Sequence, residues 1–292
     1  MNVVSLFDGI SCGQIALQKA GVEVSNYIAS EIDKFPISIT QSRYPNTKQI
    51  GDVSKIKSGY LPKIDLLIGG SPCQSLSRSG DGSGFNGKSK LFWEYVRILK
   101  QENPKYFFLE NVTMKKEWEE IITKTLKVKP IIINSKLVSA QKRNRLYWTN
   151  IPNIKQPIDK KIKLLDIVSG NHKIINNHPL IIKKDGNDFY IKNGTKKGYL
   201  IANEGDGVNL EFPTSKTRRG RVAKQKTNTL NTGCNYGMIL EGNLVELNIN
   251  DYELLQTLPM NYTCGISESQ RKKAIGNGWT IDVIVEFFKQ LR

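Results

Sequence analysis

Cysteine is scarce in this chain: Cys12, Cys73, Cys234 and Cys264 are the four in 292 residues, and none forms a Cys-x-x-Cys pair. A disulfide framework or a cysteine zinc knot is therefore not expected. Histidine is scarcer still. His172 and His178 lack the spacing and partners of a metal site, so both read as surface residues and no metal is expected. No apolar run approaches the roughly 18 residues that a membrane span needs. Met1-Asn2 leads directly into Val3-Val4-Ser5-Leu6-Phe7, without the basic segment and longer apolar stretch of a secretory signal. The chain reads as cytoplasmic. The Gly-x-Gly-x-x-Gly fingerprint is missing too, which disfavours a dinucleotide bound through its pyrophosphate. Acidic residues are few: 27 against 43 lysines and arginines, a net charge of +16. Such a surplus attracts polyanions, nucleic acid first among them, although a general enrichment in Lys, Ile and Asn accounts for part of it.

What is present is an ordinary folding composition, 39% hydrophobic and 24% charged. The first 110 residues alternate short apolar runs with helix-like stretches. Strands are predicted over Val3 to Phe7, Val24 to Ala29 and Asp65 to Ile68, with a further element ending near Gly51-Asp52 and another strand from Tyr106 to Leu109. Helices are predicted from about Ile15 to Gly21 and over Leu91 to Leu99. This alternation predicts an α/β fold: a Rossmann-like, mostly parallel sheet with helices on both faces. Beyond residue 150 the texture turns rich in Lys, Asn and Gly, with short β-like pieces such as Gly198 to Ile201. That implies a smaller, irregular, β-leaning domain over 156–245. Asn250-Asp251-Tyr252-Glu253 and Ser267 with Gln270 read as capping boxes, and Val283 to Leu291 as a closing amphipathic helix.

Polar residues follow nearly every predicted strand: Asp8, Glu31, Asp52, Ser71 to Gln74, and Glu110-Asn111. In open parallel sheets, ligands bind along that carboxyl edge. The turn Phe7-Asp8-Gly9-Ile10-Ser11-Cys12-Gly13 lets a nucleotide-like cofactor approach the backbone. Glu31 stands where a carboxylate can accept ribose hydroxyls, and Asp52 could take an adenine amino group; each acid could equally be a helix cap or a solvated loop residue. Ser71-Pro72-Cys73-Gln74 is sharper. A cysteine at a strand end, behind Gly69-Gly70 and stiffened by Pro72, is exposed at the ligand edge rather than inside an apolar run. Beside the acid that ends the next strand, Glu110, its thiolate would be a nucleophile with a proton-donating partner. Arg143 and Arg145, at alternate positions of an extended segment, would point the same way. The basic cluster Ser215-Lys216-Thr217-Arg218-Arg219-Gly220-Arg221 is either a nucleic-acid contact or a solvated charge cluster.

Phe7-Asp8-Gly9, Glu31, Asp52, Ser71-Pro72-Cys73-Gln74, Glu110-Asn111-Val112, Gln141-x-Arg143-x-Arg145 and Gly276-Asn277-Gly278-Trp279 together resemble the DNA cytosine-5 methyltransferase family, in the family's order and along the whole chain apart from 151 to about 225. The resemblance implies the class I methyltransferase fold and S-adenosylmethionine as cofactor, leaving S-adenosylhomocysteine. It makes Cys73 the nucleophile on cytosine carbon 6, with Glu110 at ring nitrogen 3, Arg145 on the base oxygen and Arg143 as its helper. It implies a cofactor site of Phe7, Asp8, Gly9, Cys12, Glu31, Ile32, Asp52, Val53, Leu91, Asn277, Gly278 and Trp279; because the last three close the pocket from the carboxyl-terminal segment, it also implies that 1–155 and 246–292 form one discontinuous larger domain. Ser71, Pro72, Gln74 and Arg78 would serve the substrate, and Arg218, Arg219 and Arg221 would reach phosphates or base edges from a target-recognition domain. Because carbon 5 is inaccessible inside a duplex, the base would be flipped out.

The chain departs from the usual bacterial pattern at Ser11 and Cys12, where further glycines are common; there and at Trp279 it is more like animal de novo methyltransferases. The thiols of Cys12, Cys234 and Cys264 match no catalytic role and are expected to pack. The Gly-rich stretch Ser75 to Lys90 is expected to be a mobile loop closing over DNA. The expectation is a stand-alone, monomeric enzyme of a bacterial cell or phage-infected host acting on double-stranded DNA, with or without a separate restriction endonuclease. An RNA (tRNA) cytosine-5 methyltransferase, an inactive DNA-binding relative and a nicotinamide oxidoreductase are the competing readings; the intact Cys73, Glu110, Arg143 and Arg145 disfavour the second, and the missing glycine fingerprint the third.

Overall fold

The computed structural model describes residues 1–72, 76, 83–168 and 170–291. The chain folds as two compact units: Met1–Asn134 with Asn144–Pro157 and Ile281–Arg292, and Ser135–Arg143 with Ile158–Thr280. Residues 246–280, expected with the first domain, belong to the second unit because Tyr252, Leu255 and Ile275 pack into its core.

The first unit holds β1 (Asn2–Leu6), β2 (Asn26–Ser30), β3 (Lys48–Gln49), β4 (Leu66–Gly69), β5 (Tyr106–Val112), β6 (Ile131–Asn134) and β7 (Asn144–Thr149) in one sheet, ordered β3-β2-β1-β4-β5-β7-β6. The strands β1 to β5 run parallel, and β7 lies antiparallel to both its neighbours. Helices α1 (Cys12–Lys19), α2 (Lys34–Arg43), α3 (Phe92–Glu102), α4 (Lys116–Leu126) and α7 (Ile281–Phe288) belong to this unit, whereas α5 (Ile249–Leu255) and α6 (Glu268–Asn277) belong to the other. This is the Rossmann-like arrangement that the alternation predicts.

Burial on both faces explains why β4, and β1 apart from Asn2 and Ser5, read as apolar runs rather than alternating ones. On one face Val4, Leu6, Leu67, Leu109 and Trp148 pack with Phe92, Tyr95 and Val96 of α3 and Ile122 of α4. On the other, the Phe108 ring meets Phe287 and Phe288 of α7 edge-on, with Tyr147 beside them. The helix α3 forms because its buried residues recur three and four apart, at Phe92, Tyr95 and Val96. It stops at Asn103, whose left-handed backbone (φ 41°) turns the chain.

The second unit is antiparallel. Strands β9 (Ile181–Asp185), β10 (Asp188–Lys192) and β11 (Tyr199–Ala202) form one sheet; β8 (Lys173–Ile174), β12 (Gly207–Asn209), β13 (Val222–Ala223), β14 (Tyr236–Leu240) and β15 (Asn243–Glu246) form another, ordered β13-β12-β14-β15-β8. The capping box of α5 lies two residues earlier than predicted: Asn248 is the cap and accepts from the Asn250 and Asp251 amides, while Asp251 answers the Asn248 amide. Ser267 does precede α6, but its hydroxyl lies 3.2 Å from Ser269 Oγ and caps nothing.

Two expectations are overturned here. The His172 side chain is only 3% exposed, with Nε2 2.8 Å from the buried Asp251 carboxylate, so it ties the segment before β8 to the start of α5 rather than facing solvent. Cys264, expected to pack, is exposed, whereas Cys12 and Cys234 are buried.

A polar knot fixes the turn at the end of α6. The fully buried Gln256 donates from Nε2 to the Ile275 and Gly278 carbonyls and accepts from Gln141 Nε2 and Thr280 Oγ1. Gly276 is required on steric grounds, because a Cβ there would stand 2.1 Å from the Asn231 carbonyl oxygen. Gly276→Ala must push backbone against backbone, and we expect a loss of about 3 kcal/mol, measured as a lower midpoint in urea unfolding; an unchanged midpoint would mean that the segment around Asn231 yields freely.

Candidate active site

Parallel register brings the functional strand ends level. Leu6 on β1 pairs with Ser30 on β2 and with Gly69 on β4, and Gly69 pairs with Leu109 on β5. The residues that follow, Phe7-Asp8, Glu31, Ser71-Pro72 and Glu110-Asn111, therefore emerge along one edge.

At the β5 end, alternation sends Glu110 and Asn111 to opposite faces. Glu110 is 9% exposed, and its Oε1 accepts from Arg145 Nε at 2.9 Å. Arg145 is placed for this by the antiparallel pairing of β5 with β7, in which Val112 faces Arg145 and Glu110 faces Tyr147, so acid and guanidinium meet diagonally on one face. Asn111, buried to 1%, donates through Nδ2 to the Ser71 carbonyl and hydroxyl oxygens, at 3.3 and 3.2 Å. Its own Oδ1 accepts from the Val112 amide. Asn111 thus fastens the chain two residues before position 73. Its role was not assigned from sequence, although its place beside Glu110 was the available signal. Cys73, Gln74 and Arg78, and positions 75 and 77–82 of the Gly-rich stretch expected to be mobile, lie outside the described residues.

At the β1 turn, Phe7 is half-buried with φ 59°, and Gly9 has φ 59° with open space where a Cβ would point. The Asp8 side chain is turned inward: Tyr27 donates to Oδ1 at 2.8 Å and Ser11 to Oδ2 at 2.5 Å, while the Ser11 hydroxyl accepts from Thr40. Asp8 holds the turn in shape, and what the turn offers a ligand is backbone. Glu31 Oε2 accepts from the Gly9 amide, and Oε1 accepts from the Ile32 and Asp33 amides, which tie the β2 end to the turn. Among the described residues Oε2 takes one donor, so that oxygen retains acceptor capacity. Ile32 is 75% exposed beside this acid. Asp52 Oδ1 accepts from the Ser54 amide and hydroxyl, and these bonds hold its carboxyl below the usual carboxylate range. Val53 is buried in the core, and Leu91, before α3, is partly buried against it. An exposed apolar side chain, two carboxylates and an open glycine along one edge fit an adenosyl group.

Other predicted site residues belong to the second unit. Arg143, expected to point with Arg145, is 3% exposed and donates to the carbonyls of Leu230, Gly276 and Gly278 within the second unit. Its guanidinium is consumed in holding backbone, because the strand pairing of β7 starts only at Asn144 and the two arginines do not share one extended strand. Gly278 receives both Arg143 and Gln256, while Asn277 is exposed and Trp279 half-buried in that unit. Arg221 is 1% exposed and donates to the carbonyls of Asn209, Glu211 and Phe212, so it reaches no phosphate or base edge. Arg219 is exposed, and Arg218 is half-buried against Glu211 at 2.6 Å.

The family description "C-5 cytosine-specific DNA methylase" matches residues 1–292. The chain belongs to this family. Membership in the C-5 cytosine-specific DNA methylases implies use of S-adenosylmethionine, for which the edge just described is suited. An orphan methyltransferase of Bacillus phage rho11s, M.Rho11sI, is 44% identical over 115 residues, which are 38% of this chain and 23% of that protein. The type II methyltransferase M.NgoPII of Neisseria gonorrhoeae is 40% identical over 116 residues, 39% of this chain and 33% of that protein. These matches thus cover a third or less of each relative's length. Among solved structures, the Entamoeba histolytica methyltransferase EhMeth shares the fold with a TM-score of 0.70 at 18% identity, covering 100% of this chain and 97% of that one. A Spodoptera frugiperda DNMT2 variant does so with a TM-score of 0.65 at 15% identity, covering 100% and 99%. No helix among the described residues is long and apolar enough to cross a membrane.

Burial raises the Asp8 carboxyl from 3.8 to about 6, against the Ser11, Ser5 and Tyr27 hydrogen bonds that favour its charged form. Between those values the folded state binds more protons than the unfolded one. Asp8 therefore stabilises the fold at low pH, and that contribution is lost as pH rises from 3.8 through about 6. The loss is on the order of 3 kcal/mol. Asp8→Asn removes the titration, so its unfolding free energy relative to wild type should climb across this window and then level off. Urea unfolding of both proteins at several pH values measures the difference, and a flat difference would contradict the buried, proton-binding carboxyl.

Proposed function

We propose that the protein methylates carbon 5 of cytosine in double-stranded DNA. The observation that carries this reading is the Glu110–Arg145 pair on the sheet edge, beside the Ser71 that Asn111 fastens two residues before Cys73. Carbon 5 of cytosine is a weak nucleophile. Attack of the Cys73 thiolate on carbon 6 makes the ring electron-rich at carbon 5, and Glu110 holds a proton at ring nitrogen 3 so that negative charge does not accumulate on the base. Arg145 orients that carboxyl and binds the base oxygen. The cofactor supplies the electrophilic methyl group that carbon 5 takes. Loss of the carbon 5 proton then expels Cys73, and the carbon 5–carbon 6 double bond re-forms. The target base must leave the duplex for the thiolate to reach it.

Glu31 and Asp52 are the acceptors for the ribose and the adenine amino group, Ile32 packs on the adenine, and the Phe7–Gly9 backbone lines the turn. Arg143 carries no step and acts as an internal brace. The reading takes the larger part of the first unit as catalytic and the second unit as target-recognising, with the protein acting as a monomer. A separate restriction endonuclease is its partner if it belongs to a modification pair; otherwise it acts alone.

The test is expression in a host without its own cytosine-5 methylation, followed by mass spectrometry of digested DNA and RNA. Wild type should yield 5-methylcytosine in DNA and Cys73→Ser none, while Glu110→Gln should reduce turnover by about 100-fold or more. Modified cytosine in RNA alone would replace the DNA substrate by RNA, and equal signal from Cys73→Ser would remove the nucleophile.

A further inference from the structure

Phe212 is the one large aromatic side chain of the basic segment's approach, and it is placed against every local preference. It is 65% exposed, and its backbone lies in the left-handed region at φ 49°, where a bulky L residue is strained. The strained conformation is over-determined. From inside, the buried Arg221 guanidinium donates to the Asn209, Glu211 and Phe212 carbonyls at 3.3, 2.7 and 2.7 Å. The Ser215 amide also donates to the Phe212 carbonyl. From the far side, the Gly194 amide donates to the Arg218 carbonyl at 2.7 Å, and Arg219 Nε donates to the Gly194 carbonyl at 3.0 Å. Gly194 lies so close to this loop that a Cβ would stand 2.4 Å from the Thr217 carbonyl carbon.

The exposed ring also has a cation on one face. The Arg218 guanidinium carbon lies 5.1 Å from the Phe212 centroid, within cation–π range, and its Nη2 is held by Glu211 Oε2 at 2.6 Å. Glu211, the one acid of this loop, is itself occupied by Arg218 and Asn231, so the outward charge is that of Arg219, Lys216 and the outer edge of Arg218. A rigid, outward aromatic ring rimmed by cations is complementary to DNA, in which phosphates flank base edges and apolar thymine methyls. Solvent exposure alone would give no reason to keep a strained phenylalanine at this place.

We propose that Phe212, backed by Arg218, is a base-contacting residue of the target-recognition unit, packing its ring on a base of the recognised sequence while Arg219 holds the adjacent phosphate. The inference rests on the proposed DNA substrate. It makes Arg221 a positioning residue that braces the contact from within.

The strain gives a test that separates function from structure. Wild type is first assayed for DNA methylation, and conversion sequencing of that DNA defines the site; wild type without DNA methylation would sink the proposed function itself. Binding of a duplex carrying that site, and of one lacking it, is then measured over a salt series with the full chain. Phe212→Gly should bind the cognate duplex about tenfold more weakly, with an unchanged salt slope. Its unfolding midpoint should equal or exceed that of wild type, because glycine is unstrained at positive φ. Phe212→Trp should retain the affinity. Arg219→Ala should weaken both duplexes alike and lower the salt slope by about one. Wild-type affinity in Phe212→Gly, or a loss of affinity accompanied by a lower unfolding midpoint, would overturn the assignment.

Discussion

Parallel strand register is the constraint on which the first unit depends. Once Leu6 is level with Ser30 and Gly69, and Gly69 with Leu109, the residues that follow each strand have nowhere to emerge but one edge. With neighbouring strands about 4.8 Å apart, acids distant in sequence are brought within reach of a single nucleoside-sized ligand. The apolar runs that enforce this register carry no chemistry themselves. Their burial on both faces keeps the edge rigid, and the hydrogen bonds of Glu31 to the Gly9 amide and of Asn111 to Ser71 tie adjacent strand ends together.

Arginine is used in two opposite ways. Arg143 and Arg221 are buried and donate to backbone carbonyls, so their charge serves as an internal brace where the loops have no regular ladder to satisfy them. Arg145 and Arg218 instead pair with carboxylates, Glu110 and Glu211, which fix the direction of each guanidinium. A net charge of +16 therefore overstates what the surface can offer to a polyanion.

The α/β class, the strand ends and the Glu110–Asn111 and Ser71–Pro72 elements were legible because each lies within a few residues of an apolar run whose period reveals it. Boundaries moved by one to three residues, as with β2, read from Val24 but starting at Asn26. The helices α2 and α4 gave weaker signals: α2 has only Ile39 and Thr40 buried, and α4 only Ile122 and Leu126. Unlike these, the roles of His172, Arg143 and Arg221 are not legible in the sequence, since each is decided by a partner 79 to 135 residues away or by a loop folded back on itself.

The sequence by itself determined the family, the alternation of strands and helices, and which residue types stand at the carboxyl edge, because these depend on local periodicity and on motifs a few residues long. Only the tertiary structure decided which charged groups face outward. A guanidinium in an irregular loop goes wherever unsatisfied carbonyls collect, and those carbonyls come from segments that the chain brings together only on folding. For the same reason Arg143 and Arg145, two positions apart, hold different partners: one meets backbone carbonyls and the other a carboxylate across a strand pair.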